Sequence, residues 1–207
     1  MTMPLTHRTV PPQLDALLGS DLEFDRIYDA RIQMLSAMHW TPVHVAARAA
    51  RLLAQAGATR VLDVGSGVGK FCIVGALTTD AQFVGVERRG DLVAIARSAA
   101  AAIPVRTAEF VHADIEAFRF DGFDGFYLYN PFFEQISQYL IPIDDTVDGT
   151  EAAYQHLVRI TIEKLGALPP RVAVVTFNGF GGVMPRDFAF LEDEPAGIDR
   201  LELWVKK

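Results

Sequence analysis

The sequence predicts an α/β fold: a doubly wound sheet of seven strands, finished by an antiparallel hairpin and preceded by helices. Three observations predict it. The run Val61-Leu62-Asp63-Val64 passes directly into Gly65-Ser66-Gly67-Val68-Gly69 and then into a second apolar stretch. That is the pattern of a buried strand ending in a tight turn that opens a helix. Further apolar runs ending in polar groups follow, alternating with helical patterns, as in a parallel sheet. The chain then closes with two short alternating runs, 188–191 and 201–206, which read as a hairpin rather than a sixth parallel strand.

The elements follow in order. Pro11-Pro12 opens a helical stretch, and residues 21–37 read as a second helix with Phe24, Ile27, Ile32 and Leu35 as apolar positions. Trp40-Thr41-Pro42 ends it. Pro42 suits the first turn of the next helix, 43–56, with Thr41 as its cap. Residues 61–64 form the first strand, 83–87 the second, 107–115 the third and 123–129 the fourth. An irregular helical region runs through Ile141-Pro142 into a helix at 151–165, which Pro169-Pro170 ends. Residues 171–176 form the fifth strand. Asn178-Gly179-Phe180-Gly181-Gly182 reads as a mobile loop by composition. Residues 1–40 are thus a helical extension and 41–207 the α/β domain.

Composition bounds the function. A chain of 207 residues, half of them hydrophobic, is one domain with an ample core. The single cysteine, Cys72, falls on the apolar face of the helix after the glycine turn and reads as a core residue. It forms neither a disulfide nor a zinc site, which fits a reducing cytoplasm. No apolar run reaches the roughly twenty residues of a membrane span, and residues 1–10 lack an apolar signal core. The net charge is −7, and Arg88-Arg89 and Lys206-Lys207 are the only adjacent basic pairs. Long nucleic acid is disfavoured as a partner, and a protein or small molecule is favoured.

The glycine turn carries the chemistry. Glycines let backbone approach a ligand closely, and a helix start points free N–H groups at it. A dinucleotide fingerprint, G-x-G-x-x-G, would need glycine where Lys70 stands. A phosphate loop would need Ser or Thr where Phe71 stands and Gly where Val64 stands. The segment Asp63-Val64-Gly65-Ser66-Gly67-Val68-Gly69 resembles instead the first motif, D/E-x-G-x-G-x-G, of the class I S-adenosylmethionine-dependent methyltransferases. The resemblance spans roughly residues 41–207 and implies a Rossmann-like fold and S-adenosylmethionine as cofactor. It implies that the turn, with Gly65, Ser66, Gly67 and Gly69, passes under the methionine and ribose, and that Asp63 faces the cofactor's ammonium. A carboxylate there suits a cation and would repel a pyrophosphate.

The later strands extend the resemblance. Glu87 ends the second strand and is expected on the ribose hydroxyls. Asp114 is expected on the adenine amino group, with Ile115 or Ala113 against the ring. His112 shares the face of Asp114 by strand alternation and reads as a strand residue rather than a base. Asn130-Pro131-Phe132-Phe133 resembles the fourth motif, [DNS]-P-P-[YFW], of methyltransferases acting on amino or amide nitrogens, with Phe132 in place of the second proline. It implies that Asn130 and the adjacent carbonyl hold the target N–H groups while an aromatic ring, Phe132 or Phe133, stacks on the planar acceptor.

The expected activity is methyl transfer, to nitrogen rather than oxygen. Two alternatives stay open: a nicotinamide-dependent oxidoreductase, in which Arg88 and Arg89 would meet a 2′-phosphate, and a non-catalytic cofactor-binding scaffold. Trp40 and Thr41 are either core and cap or cofactor contacts. The extension is expected to cover the acceptor site, so that removing residues 1–38 spares cofactor binding and abolishes transfer.

Overall fold

A computed structural model describes residues 12–103, 107–136, 143, 149–197 and 199–207. Its strands are β1 (Arg60–Val64), β2 (Gln82–Glu87), β3 (Ala108–His112), β4 (Gly125–Tyr129), β5 (Ala173–Phe177), β6 (Phe188–Ala196) and β7 (Asp199–Lys206). They form one seven-stranded sheet in the order β3-β2-β1-β4-β5-β7-β6. The first five strands pair in parallel, and β7 and β6 return antiparallel. This is the doubly wound sheet with a terminal hairpin that the sequence predicts. The strand order reverses between β1 and β4, and their carboxyl ends open the crevice in which such sheets bind ligands.

The helices are α1 (Pro12–Leu17), α2 (Asp21–Asp25), α3 (Ala30–His39), α4 (Val43–Gln55), α5 (Lys70–Thr78), α6 (Gly90–Ala102) and α7 (Glu151–Gly166). Alternation along the strands splits the core in two. Val61, Phe83, Tyr127 and Val175 pack with α4, α5 and α6, while Leu62, Val84, Phe126 and Val174 pack with α7. Phe24, Tyr28, Ile32 and Leu35 of the extension belong to the first of these clusters. The extension and the α/β domain therefore share one hydrophobic core.

Several boundaries differ from the sequence expectation. The helix expected at 21–37 is broken into α2 and α3, because the Asp29 carboxylate caps the Ile32 N–H at 3.0 Å and starts a new helix. Thr41 does not cap α4. Pro42 holds the cap position, the Val43 N–H donates to the Asp21 carboxylate at 2.9 Å, and the Thr41 hydroxyl bonds the Tyr127 hydroxyl at 2.8 Å. β3 ends at His112, two residues before Asp114. The hairpin strands are longer than expected, joined at Gly197 (φ 73°) and bulged between Phe190 and Glu192, which blurs their alternation. The loop after β5 is not loose: Phe180 is buried, and a Cβ on Gly181 would lie 1.8 Å from the Tyr154 hydroxyl of α7. The expected irregular region around Ile141-Pro142 lies outside the described residues.

Candidate active site

The glycine turn is built on the end of β2. The N–H groups of Gly65 and Ser66 both donate to the Val86 carbonyl, at 2.9 and 3.0 Å. Gly65, Gly67 and Gly69 all take positive φ, at 75°, 53° and 81°, which side chains rarely adopt. Close contacts also demand glycine. A Cβ on Gly65 would come within 3.2 Å of Pro131, one on Gly67 within 2.3 Å of the Trp40 indole nitrogen, and one on Gly69 within 2.5 Å of the Phe110 ring. Gly69 thus provides the tight helix-to-sheet packing one position earlier than a dinucleotide turn would. Ser66 lies buried against Gly85, its hydroxyl without a hydrogen-bond partner among the described residues.

Two carboxylates flank the turn. Asp63 is buried at the end of β1, where its carboxylate accepts the Cys72 thiol at 3.6 Å. Burial, with Glu87 nearby, pushes the Asp63 carboxyl up to about 7. It opens onto a small pocket of about 30 Å³ with Trp40, Thr41, Tyr127 and Tyr129 on its walls. Glu87 ends β2 and accepts the Gly67 N–H at 3.1 Å and the Arg89 N–H at 2.9 Å. Burial raises its carboxyl as well, against the lowering by those N–H groups and the Arg89 charge.

The crevice continues in two directions from Glu87. One arm runs to Ala113, Asp114 and Ile115, with Phe132 on its floor. There Asp114 is exposed and accepts the Glu116 N–H at 2.8 Å, in an Asx turn that fixes its direction. His112 stands at the exposed end of β3, its Nε2 2.9 Å from the Arg88 carbonyl. The other arm is a chamber of about 180 Å³ reached by Gly65, Gly67, Tyr129, Asn130, Phe133 and Asn178. The two phenylalanines separate: Phe132 is buried, whereas Phe133 is 40% exposed and faces the chamber. Asn130 has φ 37°, donates its N–H to the Gly179 carbonyl at 3.0 Å, and accepts the Phe133 N–H at 3.0 Å. Its carboxamide makes no hydrogen bond among the described residues.

The sequence reading did not nominate Asn178, which follows β5 in register with Asn130 and has φ 53°. Nor did it nominate Glu134, whose ion pair with Arg89 at 2.7 Å lies between the two arms. Asparagine tolerates positive φ, so the Asn178-Gly179 pair was the one available signal, whereas a pair 45 positions apart is visible only after folding. Met38, His39 and Trp40 complete the chamber wall from the end of α3.

Residues 55–136 match the family model of a methyltransferase domain. Among solved structures, an RNA methyltransferase from Salinibacter ruber, in complex with S-adenosyl-L-homocysteine, is 26% identical over 80% of this chain and 92% of its own, with a TM-score of 0.57. Residues 55–136 carry a methyltransferase domain, and the fold around it is that of S-adenosylmethionine-dependent methyltransferases. This methyltransferase shares its fold with magnesium protoporphyrin IX methyltransferase from Synechocystis PCC 6803 with bound cofactor (12% identity, 93% and 94% of the two chains, TM-score 0.56). It also shares it with TrmN from Thermus thermophilus (20% identity, TM-score 0.52), spanning about half of that protein: 82% of this chain against 55% of that one. No curated protein sequence matches it significantly. S-Adenosylmethionine is the cofactor, and the enzyme reading replaces the nicotinamide and scaffold alternatives. Arg89, which a 2′-phosphate would need, is paired with Glu134. Among the described residues no helix is long and apolar enough to cross a membrane.

The residues fit the cofactor. Asp63 is a buried carboxylate beside a pocket, hydrogen-bonded by a thiol, and the cofactor brings an ammonium. A carboxylate and backbone N–H groups line the turn, a donor set suited to ammonium and hydroxyls rather than phosphates.

Proposed function

We propose that this methyltransferase transfers the methyl group to a planar amino or amide nitrogen of a small-molecule or protein acceptor. The observation that carries the reading is the seat of Asn130. It stands in the left-handed region at the carboxyl end of β4, with an uncommitted carboxamide facing the chamber that Gly65, Gly67 and the exposed Phe133 also line. Strain of this kind persists where the surroundings over-determine it, and it collects at functional sites.

The cofactor assignment is part of the proposal. Asp63 takes the ammonium, the backbone of Gly65, Ser66, Gly67 and Gly69 runs beneath methionine and ribose, and Glu87 takes the ribose hydroxyls. Ile115 and Ala113 flank the adenine, and Asp114 accepts from its amino group. When bound, the cofactor supplies a methyl group on a sulfonium, a leaving group good enough that no strong base is required. The protein's work is then positioning. The Asn130 carboxamide oxygen and the Pro131 carbonyl accept the target N–H groups and aim the nitrogen lone pair. Phe133 stacks on the acceptor, and Phe132 supports the adenine arm from below. Trp40 and Tyr129 narrow the chamber and limit water, which strengthens the hydrogen bonds that hold the target. The described part of the extension, residues 12–40, covers the chamber of the 41–207 domain through Met38, His39 and Trp40, and the buried Cys72 thiol suits a reducing cytoplasm.

A second reading, an RNA base as acceptor, is favoured by the 26% identical RNA methyltransferase. The net charge of −7 opposes it. Transfer of tritium-labelled methyl into separated small-molecule, protein and RNA fractions of a cell extract tests both. Label in the first or second fraction, lost in Asn130→Ala, is expected. Label in RNA alone would replace the acceptor assignment, and full activity in Asn130→Ala would remove Asn130 from the mechanism.

A further inference from the structure

Lys70 is the first residue of α5, directly after Gly69, and its side chain is 1% exposed. Its ammonium lies 2.7 Å from Asp21, 2.8 Å from Asp25 and 3.0 Å from the Ser36 hydroxyl. It also sits 5.7 Å from the centre of the Phe24 ring. Every one of these partners belongs to α2 or α3. The position is electrostatically awkward, since a cation in the first turn opposes the helix dipole. A methionine would fill the same space without desolvation. Buried charges held at such cost most clearly fix one arrangement of elements against its alternatives.

The arrangement fixed here is the wall of the cofactor chamber. Tyr28, between α2 and α3, donates its hydroxyl to the Val68 carbonyl of the glycine turn at 3.1 Å. The Trp40 indole, just past α3, rests on Gly67. Met38 and His39 line the same chamber. The cation of the turn's own helix and the carboxylates of the extension thus meet at one buried point, and the wall follows from it.

We propose that Lys70 is a positioning residue for cofactor binding: its ammonium, clamped by Asp21, Asp25 and Ser36, docks α2 and α3 on the glycine turn and so links closure of the N-terminal segment to occupancy of the chamber. The inference rests on the cofactor placement proposed above. Linkage runs both ways. Bound ligand stabilises the docked segment, and loosening the dock weakens the ligand.

The test uses S-adenosylhomocysteine as the probe on the full chain. In the wild type it is expected to slow amide hydrogen exchange across residues 30–41. Lys70→Met is expected to bind it at least about tenfold more weakly by calorimetry, with the 30–41 protection lost. Leu165→Ala, a core truncation beneath the opposite face, is expected to lower the melting temperature yet keep both affinity and protection. Adding Asp25→Asn to Lys70→Met is expected to cost little more, because the clamp is already broken. Affinity of Lys70→Met within twofold of the wild type would overturn the proposal. So would a wild type that binds without protecting 30–41, an outcome that needs no variant to fold. Absence of binding by the wild type would overturn the cofactor placement and this inference together.

Discussion

The Gly67 N–H donates to the Glu87 carboxylate at 3.1 Å, joining the glycine turn to the end of the second strand. One acid thereby shapes the turn, and in the proposed cofactor placement it also takes the ribose hydroxyls. Glu87→Ala is expected to lower S-adenosylhomocysteine affinity by about 10- to 100-fold, the worth of one or two hydrogen bonds to a charged group. Glu87→Gln, which can still accept from Gly67, is expected to lose less. Calorimetric titration of both variants checks the order, and equal losses would mean that only the charge matters.

Asp63 gives the binding a pH dependence. Its carboxyl is pushed up to about 7 by burial, and in the proposed placement the ionised form holds the ligand ammonium. S-Adenosylhomocysteine affinity is therefore expected to rise between pH 6 and 8, with proton release on binding near neutrality, and Asp63→Asn is expected to bind weakly with a flat profile.

The same group sets a stability slope of the opposite sign. Its folded value exceeds the unfolded one of about 3.9, so the folded state binds more protons between the two. Its stabilising contribution is full below the unfolded value and is lost as pH rises through about 7. The upper bound is roughly 4 kcal/mol, at about 1.4 kcal/mol per pH unit. Asp63→Asn is expected to melt higher than the wild type at pH 8 and to narrow that gap at pH 5. A melting series without ligand decides it.

Gly69→Ala is expected to destabilise the fold by about 2–4 kcal/mol, combining a left-handed backbone with overpacking. The added methyl meets Phe110 at 2.5 Å and Ala96 at 3.0 Å. Gly57→Ala, also at positive φ but with open space around it, is expected to cost only about 1 kcal/mol. Urea unfolding of the pair separates strain from crowding.

Removing residues 1–38 is expected to abolish cofactor binding, contrary to the expectation from sequence. The truncation strips Phe24, Tyr28, Ile32 and Leu35 from the core and leaves Lys70 without Asp21, Asp25 and Ser36. Solubility and titration of the truncated chain test this directly.

The sequence by itself determined the sheet. Short apolar runs with acids or an asparagine at their carboxyl ends mark β1, β2 and β4, because burial on both faces demands continuous apolar residues and the ligand end demands polar ones. It set Asp63, Glu87 and Asn130 at the carboxyl ends of their strands because each lies one or two positions from a glycine turn or a strand end, where local pattern is strong. Tertiary structure alone decided the rest. Whether Phe132 or Phe133 faces the chamber depends on the turn made by Asn130, not on composition. The compact loop after β5 depends on Tyr154 and Val158 of α7 closing over Gly181. Lys70 reads in sequence as a misfit in a glycine fingerprint, and the structure buries it among carboxylates from a segment 34 to 49 residues away. Contacts of that separation are set by how helices pack on a finished sheet, and no local periodicity records them.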